Sequence, residues 1–457
     1  MAGNSASTGY NLTRSLRFRA SASVNMGRTP AVSGNQHTWT WSGWVKRAKL
    51  ASVDTIFSSA TAIPSSNLFS QFYFTSSDKL SFFQFHSSVA YTTVITTQVF
   101  RDPSAWYHIV FVYDDTQATA ANRVKFYVNG ILVTAFDTAN YPSQNFNGFW
   151  NAAQPAKIGQ DISNSSNQFD GYLAETYFID GQALTPSSFG SINALTGVWQ
   201  PARYTGTYGT NGFYLPFTDN SALTTSSNVG LGKDFSGNGN YWTTNNISIT
   251  AGVTYDSMTD VPTLTSATAA NFAVLNPLIS GNTLTNGNLN SAGGAAASTI
   301  AVNSGKWYVE FATTGGSSTG GYPILGVWRS TVPTGSYPGS INGYGIGGYT
   351  PTNVLNQYLE GAGAGTVSGQ TAWASTDIAM FALDIATGKI WAGRNGTWFG
   401  SGNPATGANP IQTLTANDTY YFGTQTAGLI VSVNFGQRPF SFSPPSGYVA
   451  LNAYNLP

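Results

Sequence analysis

Glutamate is the residue type that would give this chain a hydrolytic reaction, and it occurs only at Glu175, Glu310 and Glu360. Sandwich-type glycoside hydrolases set two carboxylates on one strand face, one as acid and one as nucleophile or base. None of the three stands in a Glu-x-Asp-x-Glu run. Asp377 and Asp384 are separated by an odd number of residues, which turns them to opposite faces of one strand. The histidines, His37, His86 and His108, are too scattered for a metal site or a triad. His108 sits in an alternating run of Tyr and Val and reads as a satisfied structural histidine. Asp114, Asp115, Asp161 and Asp170 fall at expected strand ends, where sandwich lectins can gather calcium ligands. With no Asp-x-Asp-x-Asp cluster, they are better read as acceptors of turn N–H groups. The expectation is therefore no catalytic residue, no metal and no cofactor.

Recognition chemistry is better represented. Sugars stack their C–H faces on Trp and Tyr and pair their hydroxyls with Asn, Asp and Gln. Residues of these types in expected loops are Tyr141, Trp150 and Asn151 in the first half, and Tyr337, Tyr344, Tyr349, Asn353 and Trp398 in the second. The same rings would serve subunit contacts, where Tyr and Trp are also enriched. Trp39, Trp41 and Trp307 instead lie on alternating strand patterns and are expected in the core.

The elements that must position these residues are strands. Alternation at Ser15-Leu-Arg-Phe-Arg19, Thr38-Trp-Thr-Trp-Ser-Gly-Trp-Val-Lys46, Phe69-Ser-Gln-Phe-Tyr-Phe74 and Leu80-Ser-Phe-Phe-Gln-Phe85 puts one set of side chains inward and the other outward. No stretch sustains a 3.6-residue apolar period, and only Ala183–Gly190 reads as a single helical turn. A strand–turn–strand pattern occurs twice, with Asn129-Gly130 and Asn395-Gly396 between apolar runs. Asn-Gly is the preferred pair for a type I′ turn, which needs positive φ at both central residues. The expected fold is all-β: two tandem antiparallel jelly-roll sandwiches joined by an irregular connector. The boundaries are a polar lead over 1–12, a first sandwich over 13–218, a Ser/Thr/Asn/Gly-rich connector over 219–270 and a second sandwich over 271–457. Within the last, Gly315 to Gly369 is expected to form long, ordered binding loops.

Composition narrows the function classes. Only 8% of the 457 residues are charged and the formal net charge is zero, against roughly a quarter charged in ordinary soluble proteins. The clustered Lys and Arg of a nucleic-acid footprint are missing. With no cysteine there are no disulfides and no thiolate metal sites. No basic-then-apolar signal peptide and no apolar run of membrane-spanning length stand out. Ser, Thr, Asn, Gln and Gly make up the polar surface, so solubility must come from hydroxyl and amide groups or from surface buried in an assembly.

The first half resembles the concanavalin A-like, laminin-G-like superfamily across roughly residues 13–218. The likeness is carried by Trp39-Thr-Trp-Ser-Gly-Trp-Val45, Trp106-Tyr-His-Ile-Val-Phe-Val-Tyr-Asp114, Val124-Lys-Phe-Tyr-Val-Asn-Gly130, Ile158-Gly159 and Phe169-Asp-Gly-Tyr-Leu-Ala-Glu-Thr-Tyr-Phe178 followed by Ala183-Leu-Thr185. Residues 271–450 resemble a SPRY-type sandwich through Gly305-Lys-Trp-Tyr-Val-Glu-Phe311, Leu325-Gly-Val-Trp328, Asp377 to Phe399 and Val433-Asn-Phe-Gly-Gln-Arg-Pro-Phe440. The combination of Arg14-Ser-Leu-Arg-Phe18, Trp39 to Arg47, Asp234-Phe-Ser-Gly-Asn-Gly-Asn240 and Asn434 to Phe440 is similar to large structural proteins of tailed bacteriophages. That resemblance implies a non-enzymatic virion surface protein, a tail-fibre, tip or capsid-decoration component. It would be made in the host cytoplasm and released by lysis. Its expected partners are other virion proteins, further copies of itself and a host-surface polysaccharide, with no nucleic acid and no membrane insertion. The alternatives are a dedicated lectin-like receptor-binding adhesin and a polysaccharide-degrading enzyme.

Overall fold

A computed structural model describes residues 9–61, 68–86, 89–146, 148–279, 281–316, 323–330, 336–349, 353–426 and 428–457. It is all-β with antiparallel sheets, and its helical segments are short 3-10 turns such as Pro186–Ser188, inside the stretch read as one helical turn. The chain divides into two compact units. One comprises Ser7–Thr250 with Tyr255–Thr263, the other Ala251–Thr254 with Leu264–Pro457.

The first unit is a sandwich of two eight-stranded sheets. One sheet runs Ile131–Leu132, Val124–Val128, Trp106–Asp114, Thr38–Arg47, Gly171–Asp180, Ser15–Phe18 and Ser257–Met258, with Phe213–Leu215 also paired to Gly171–Asp180. The other runs Phe136–Asn140, Val89–Val99, Lys79–His86, Leu68–Phe74, Asp54–Ala60, Ala156–Ile158, Asn25–Arg28 and Thr243–Asn245. Alternation along these strands delivers Trp39, Trp41, Phe72, Phe82, Phe111, Phe126 and Phe178 to the space between the sheets. Trp39 stacks on Tyr113 and on Trp150 at 5.1 Å each. Such ring pairs add about 0.5–1.5 kcal/mol beyond the area they bury.

The stretch read as a connector is largely part of this sandwich, and the boundary moves from 270 to 263. Leu231, Trp242 and Ile247 enter the core, and Thr243–Asn245 and Ser257–Met258 add a strand to each sheet. Carboxylates complete the join. Asp256 accepts from Arg17 Nε at 3.1 Å and Arg19 Nε at 2.8 Å, and Asp260 accepts from Lys46 Nζ at 2.8 Å and Trp106 Nε1 at 3.1 Å. Asp256, Asp260, Arg17 and Lys46 are fully buried. The Asp234-Phe-Ser-Gly-Asn-Gly-Asn240 motif is a knot. Asp234 accepts from the backbone N–H of Tyr214, Ser236 and Asn240 at 2.7–2.9 Å, while the Asn238 and Asn240 amides donate to backbone carbonyls of 209–212.

The second unit is again two sheets. One is ordered Leu284–Thr285, Asn290–Ser291, Leu429–Asn434, Lys306–Gly316, Ile378–Asp384, Lys389–Arg394, Thr397–Trp398, and the other Gly294–Ala297, Tyr420–Thr426, Ile324–Arg329, Tyr344–Tyr349, Val354–Leu359, Ala362–Thr366. Gly315 to Gly369, expected as loops, therefore contributes four strands of the second sheet. Glycine at alternate positions hides the pattern. A Cβ at Gly345 would lie 2.1 Å from the Pro338 carbonyl, and one at Gly347 would lie 2.4 Å from Ile324. Bare backbone is what lets neighbouring segments cross this face.

Both Asn-Gly pairs adopt positive φ as expected, 49° and 82° at Asn129-Gly130 and 48° and 88° at Asn395-Gly396. Each asparagine also clamps the neighbouring long strand. Asn129 Oδ1 accepts from His108 N and its own N–H donates to His108 O, both at 2.8 Å. Asn395 makes the same exchange with Ile378 at 2.8 and 2.9 Å. Asn129→Ala removes one of these bonds and puts an alanine where φ is positive. Thermal melts should show the first unit destabilised by about 1–2 kcal/mol, and Asn129→Gly should recover part of that loss.

Candidate functional site

The site begins at one end of the first sandwich, where Phe57 of the second sheet faces Phe178 and Phe213 of the first. Trp150 comes in from the loop before Ala156–Ile158 and meets Phe57 edge-on at 4.3 Å. Trp242 packs against Phe213 at 5.1 Å. These five rings line a pocket rimmed by Arg28, Ser59, Asn151, Gln154 and Asn211. Measured by the centres of water-sized molecules it is a cavity of about 20 Å³, against the roughly 10–15 Å³ that one water needs. A methyl group with its attached carbonyl fits; a whole pyranose ring does not.

The rim is held by one buried carboxylate. Asp180 accepts from Asn35 N at 2.8 Å, Asn211 N at 3.0 Å and Asn151 Nδ2 at 2.5 Å. Asn151 also donates to Asn35 O at 2.9 Å, which leaves its Oδ1 buried without a partner. Gly34 makes the hub possible, because a Cβ there would sit 2.3 Å from Asp180 Oδ2. Arg28 donates to Asn211 O at 3.3 Å and to Asn240 Oδ1 and forms no ion pair among the described residues. The rest of its five N–H donors are uncommitted. Burial lowers its pKa to about 10, opposed by the charge of Asp234.

Of the sequence-expected residues, the structure brings Trp150 and Asn151 together at this pocket. Trp150 is not an exposed loop ring, since only 1% of it is exposed and it packs against Trp39 and Phe57 as core. Tyr141 is half-buried against the same core. Tyr337 packs edge-on against Tyr358 at 5.0 Å. Tyr344 is buried on a strand, its hydroxyl donating to Gln357 Oε1 at 2.5 Å. Tyr349 ends that strand and its side chain lies outside those described. Asn353 is exposed at φ 47°, and Trp398 is half-buried beside Tyr308. Among the described residues, the second-unit side chains make separate contacts, Tyr337 with Tyr358, Tyr344 with Gln357 and Trp398 with Tyr308. Arg28, Gln154, Asn211 and Trp242 escaped the sequence reading; only the Asp234–Asn240 motif, which fixes Arg28 through Asn240, pointed toward them.

The acids that a hydrolase would need have other partners. Glu175 sits at a β-bulge with φ 51° and receives the hydroxyls of Tyr177 and Tyr214, the latter at 2.9 Å; Tyr10 OH lies 2.7 Å from Tyr214 OH. Burial pushes the Glu175 carboxyl up to about 7 although those hydroxyls pull it down. Glu310 accepts from Ser441 N at 2.9 Å, Phe442 N at 2.8 Å and Tyr308 OH at 2.9 Å, so it pins the C-terminal segment across its sheet. Ser42 and His108 resemble a nucleophile–base pair at 2.9 Å. Trp199 Nε1, a donor only, donates to His108 Nδ1 at 2.9 Å. The imidazole proton is thereby held on Nε2, where it donates to Ser42 Oγ and takes nothing from it. Burial holds the His108 pKa down at about 3.

Of the four aspartates at expected strand ends, Asp114 and Asp161 accept turn N–H groups. Asp114 bonds Thr116 N at 3.3 Å, and Asp161 bonds Ser163 N at 2.9 Å. Asp115 receives Tyr113 OH at 3.1 Å and faces His37.

Residues 20–188 match the Laminin_G_3 family, described as Concanavalin A-like lectin/glucanases superfamily. The first sandwich is a concanavalin A-like domain. No curated protein matches the chain. Among solved structures, the TRIM65 PSpry domain is similar at 11% identity and a TM-score of 0.28, over 36% of this chain and 92% of that one. The Ruminococcus gnavus IT-sialidase CBM40 bound to alpha2,3 sialyllactose is similar at 12% identity and a TM-score of 0.24, over 36% of this chain and 85% of that one. Domains LG4-5 of the mouse laminin alpha1 chain reach 10% identity and a TM-score of 0.31 over 99% of this chain and 97% of that one. The pocket lies wholly in the unit that holds the concanavalin A-like domain.

Away from the pocket, the concanavalin A-like domain exposes an apolar tip. Trp199 covers the Asn129-Gly130 turn, where a Cβ on Gly130 would meet its ring at 2.5 Å. The turn and the Gly190–Ile192/Trp199–Pro201 hairpin are therefore neighbours. They carry Ile131 at 73% exposure and Leu195 at 96%, with Leu132, Ile192 and Val198 also exposed. Isolated exposed apolar residues need no explanation, but a grouped set marks a contact surface.

Proposed function

We propose that this chain is a non-enzymatic surface component of a tailed-phage particle that attaches to a host polysaccharide through its concanavalin A-like domain. The observation that carries the binding half is the aromatic-walled pocket with uncommitted polar groups at Arg28 and Gln154. Concave, mostly apolar walls with a few precisely placed polar groups are the usual make-up of a ligand site. Support for the virion half comes from the likeness of Arg14 to Phe18, Asp234 to Asn240 and Asn434 to Phe440 to phage structural proteins. The exposed tip at Ile131 and Leu195 fits subunit contacts, and repeated copies would raise weak attachment through effective concentration. Engagement of Glu175 and Glu310 by tyrosine hydroxyls and backbone N–H groups favours a binder over a hydrolase.

A glycan array with the purified chain, paired with a reducing-sugar assay on the same glycans, tests this reading. Binding without sugar release is expected, and antibody against the chain should decorate intact particles. Sugar release that disappears in Glu175→Gln would convert the protein to an enzyme. An array with no bound glycan would remove the attachment role.

A further inference from the structure

The geometry points to an acetamido group as the moiety this pocket takes, so that the ligand is a 2-acetamido sugar whose ring rests on the rim. The inference rests on the carbohydrate reading above and adds what enters the well. Size is the first argument. The cavity admits a few heavy atoms and not a ring, so recognition is of a substituent.

Wall chemistry is the second. Phe57, Trp150, Phe178, Phe213 and Trp242 offer carbon surface, which suits a methyl group and makes a bare hydroxyl or hydroxymethyl costly to desolvate. The rim supplies the third. Arg28 is donor-only and has N–H groups to spare, which suits a carbonyl oxygen. Gln154 lines the pocket and its side-chain amide makes no hydrogen bond to the described residues; it can accept the N–H of the same group. An acetamido group carries one methyl, one acceptor and one donor, and matches all three. A carboxylate matches less well, because Asp234 lies near enough to act on the Arg28 charge and Asp180 holds the Asn151 side of the rim.

The test compares methyl 2-acetamido-2-deoxy-β-D-glucopyranoside with methyl β-D-glucopyranoside on the whole chain, by isothermal titration and by saturation-transfer NMR. The acetamido sugar should bind at least tenfold tighter, with the acetyl methyl the most strongly saturated signal. Gln154→Ala, a change on the half-buried rim, should bring the ratio to within about threefold, and Arg28→Lys should do the same if its melting curve stays near that of the natural chain. Equal binding of the two sugars, or a ratio unmoved in Gln154→Ala, would overturn the acetamido assignment and leave the carbohydrate reading standing. An N-acetyl-lysine amide that binds as tightly as the sugar would keep the acetamido seat and overturn the carbohydrate reading. Binding of none of the three, even as multivalent polymers, would end both.

Discussion

Asp256→Ala will destabilise the concanavalin A-like domain by about 3–5 kcal/mol, the cost of leaving buried cations without their counter-charge. Arg17 and Arg19 both direct Nε at the Asp256 carboxylate, and Arg17 has no exposed surface. Ser248 N also donates to Asp256 at 2.9 Å, so one substitution strands donors from two segments. At about 2–4 °C per kcal/mol for a domain of this size, the melting temperature should fall by roughly 6–20 °C. A fragment ending at residue 218 should show the same defect in stronger form. It lacks Leu231, Trp242 and Ile247 from the core, Asp256 and Asp260 from the buried ion pairs, and two edge strands. A fragment ending at residue 263 should melt cooperatively. Two fragments with matching melts would show that the stretch beyond 218 adds nothing to the fold.

Acidifying the solution from pH 8 to pH 5 will stabilise the same domain, and Glu175→Gln will remove its own share of the effect, the rest coming from Asp54, which burial also pushes up to about 7. The Glu175 carboxyl titrates near 7 in the folded chain against an ordinary 4.5, chiefly through burial. Between those values the folded state holds a proton that the unfolded state has released, so stability falls as pH rises through the window. At about 1.4 kcal/mol per pH unit, the span is worth about 3 kcal/mol. Denaturant melts at pH 5, 6, 7 and 8 would measure it. A natural chain as flat as Glu175→Gln across that range would show that the Tyr177 and Tyr214 hydroxyls hold the ionised carboxylate as well as water does.

Strands with strict alternation were legible from sequence, because their core side recurs every second residue. Trp39 and Trp41, Phe72 and Phe74, Leu80 and Phe82, and Trp307 with Phe311 are all buried on that rule. The two Asn-Gly turns were legible because the dipeptide itself carries the backbone geometry. The second closing layer of the first sandwich was not. Leu231, Trp242, Ile247 and Met258 are single apolar residues spaced without period among Ser, Thr, Asn and Gly, and their place is set by long-range partners such as Leu16, which pairs with Ser257. The burial of Trp150 was hidden for the same reason: one ring inserted from a loop leaves no local pattern. The strand Tyr344–Tyr349 was hidden by glycine, which removes the side chains from which alternation is read. The pocket draws on segments near residues 28, 57, 150, 178, 211 and 242. Such a gathering comes from sheet topology and has no signature in any single window of sequence.

The pairing of Ser15–Phe18 with Ser257–Met258 bears on how the protein is made. The first of these strands leaves the ribosome about 240 residues before its partner, a wait of roughly 10–50 s at ordinary elongation rates of about 5–20 residues per second. Through that interval Leu16 and Phe18 are on a nascent chain whose lattice of strands is still missing an edge, and Arg17 and Arg19 have no counter-ion to fold around. A host that translates this chain quickly, or shields its emerging end with a holdase, will therefore yield more of the finished domain than one that does neither.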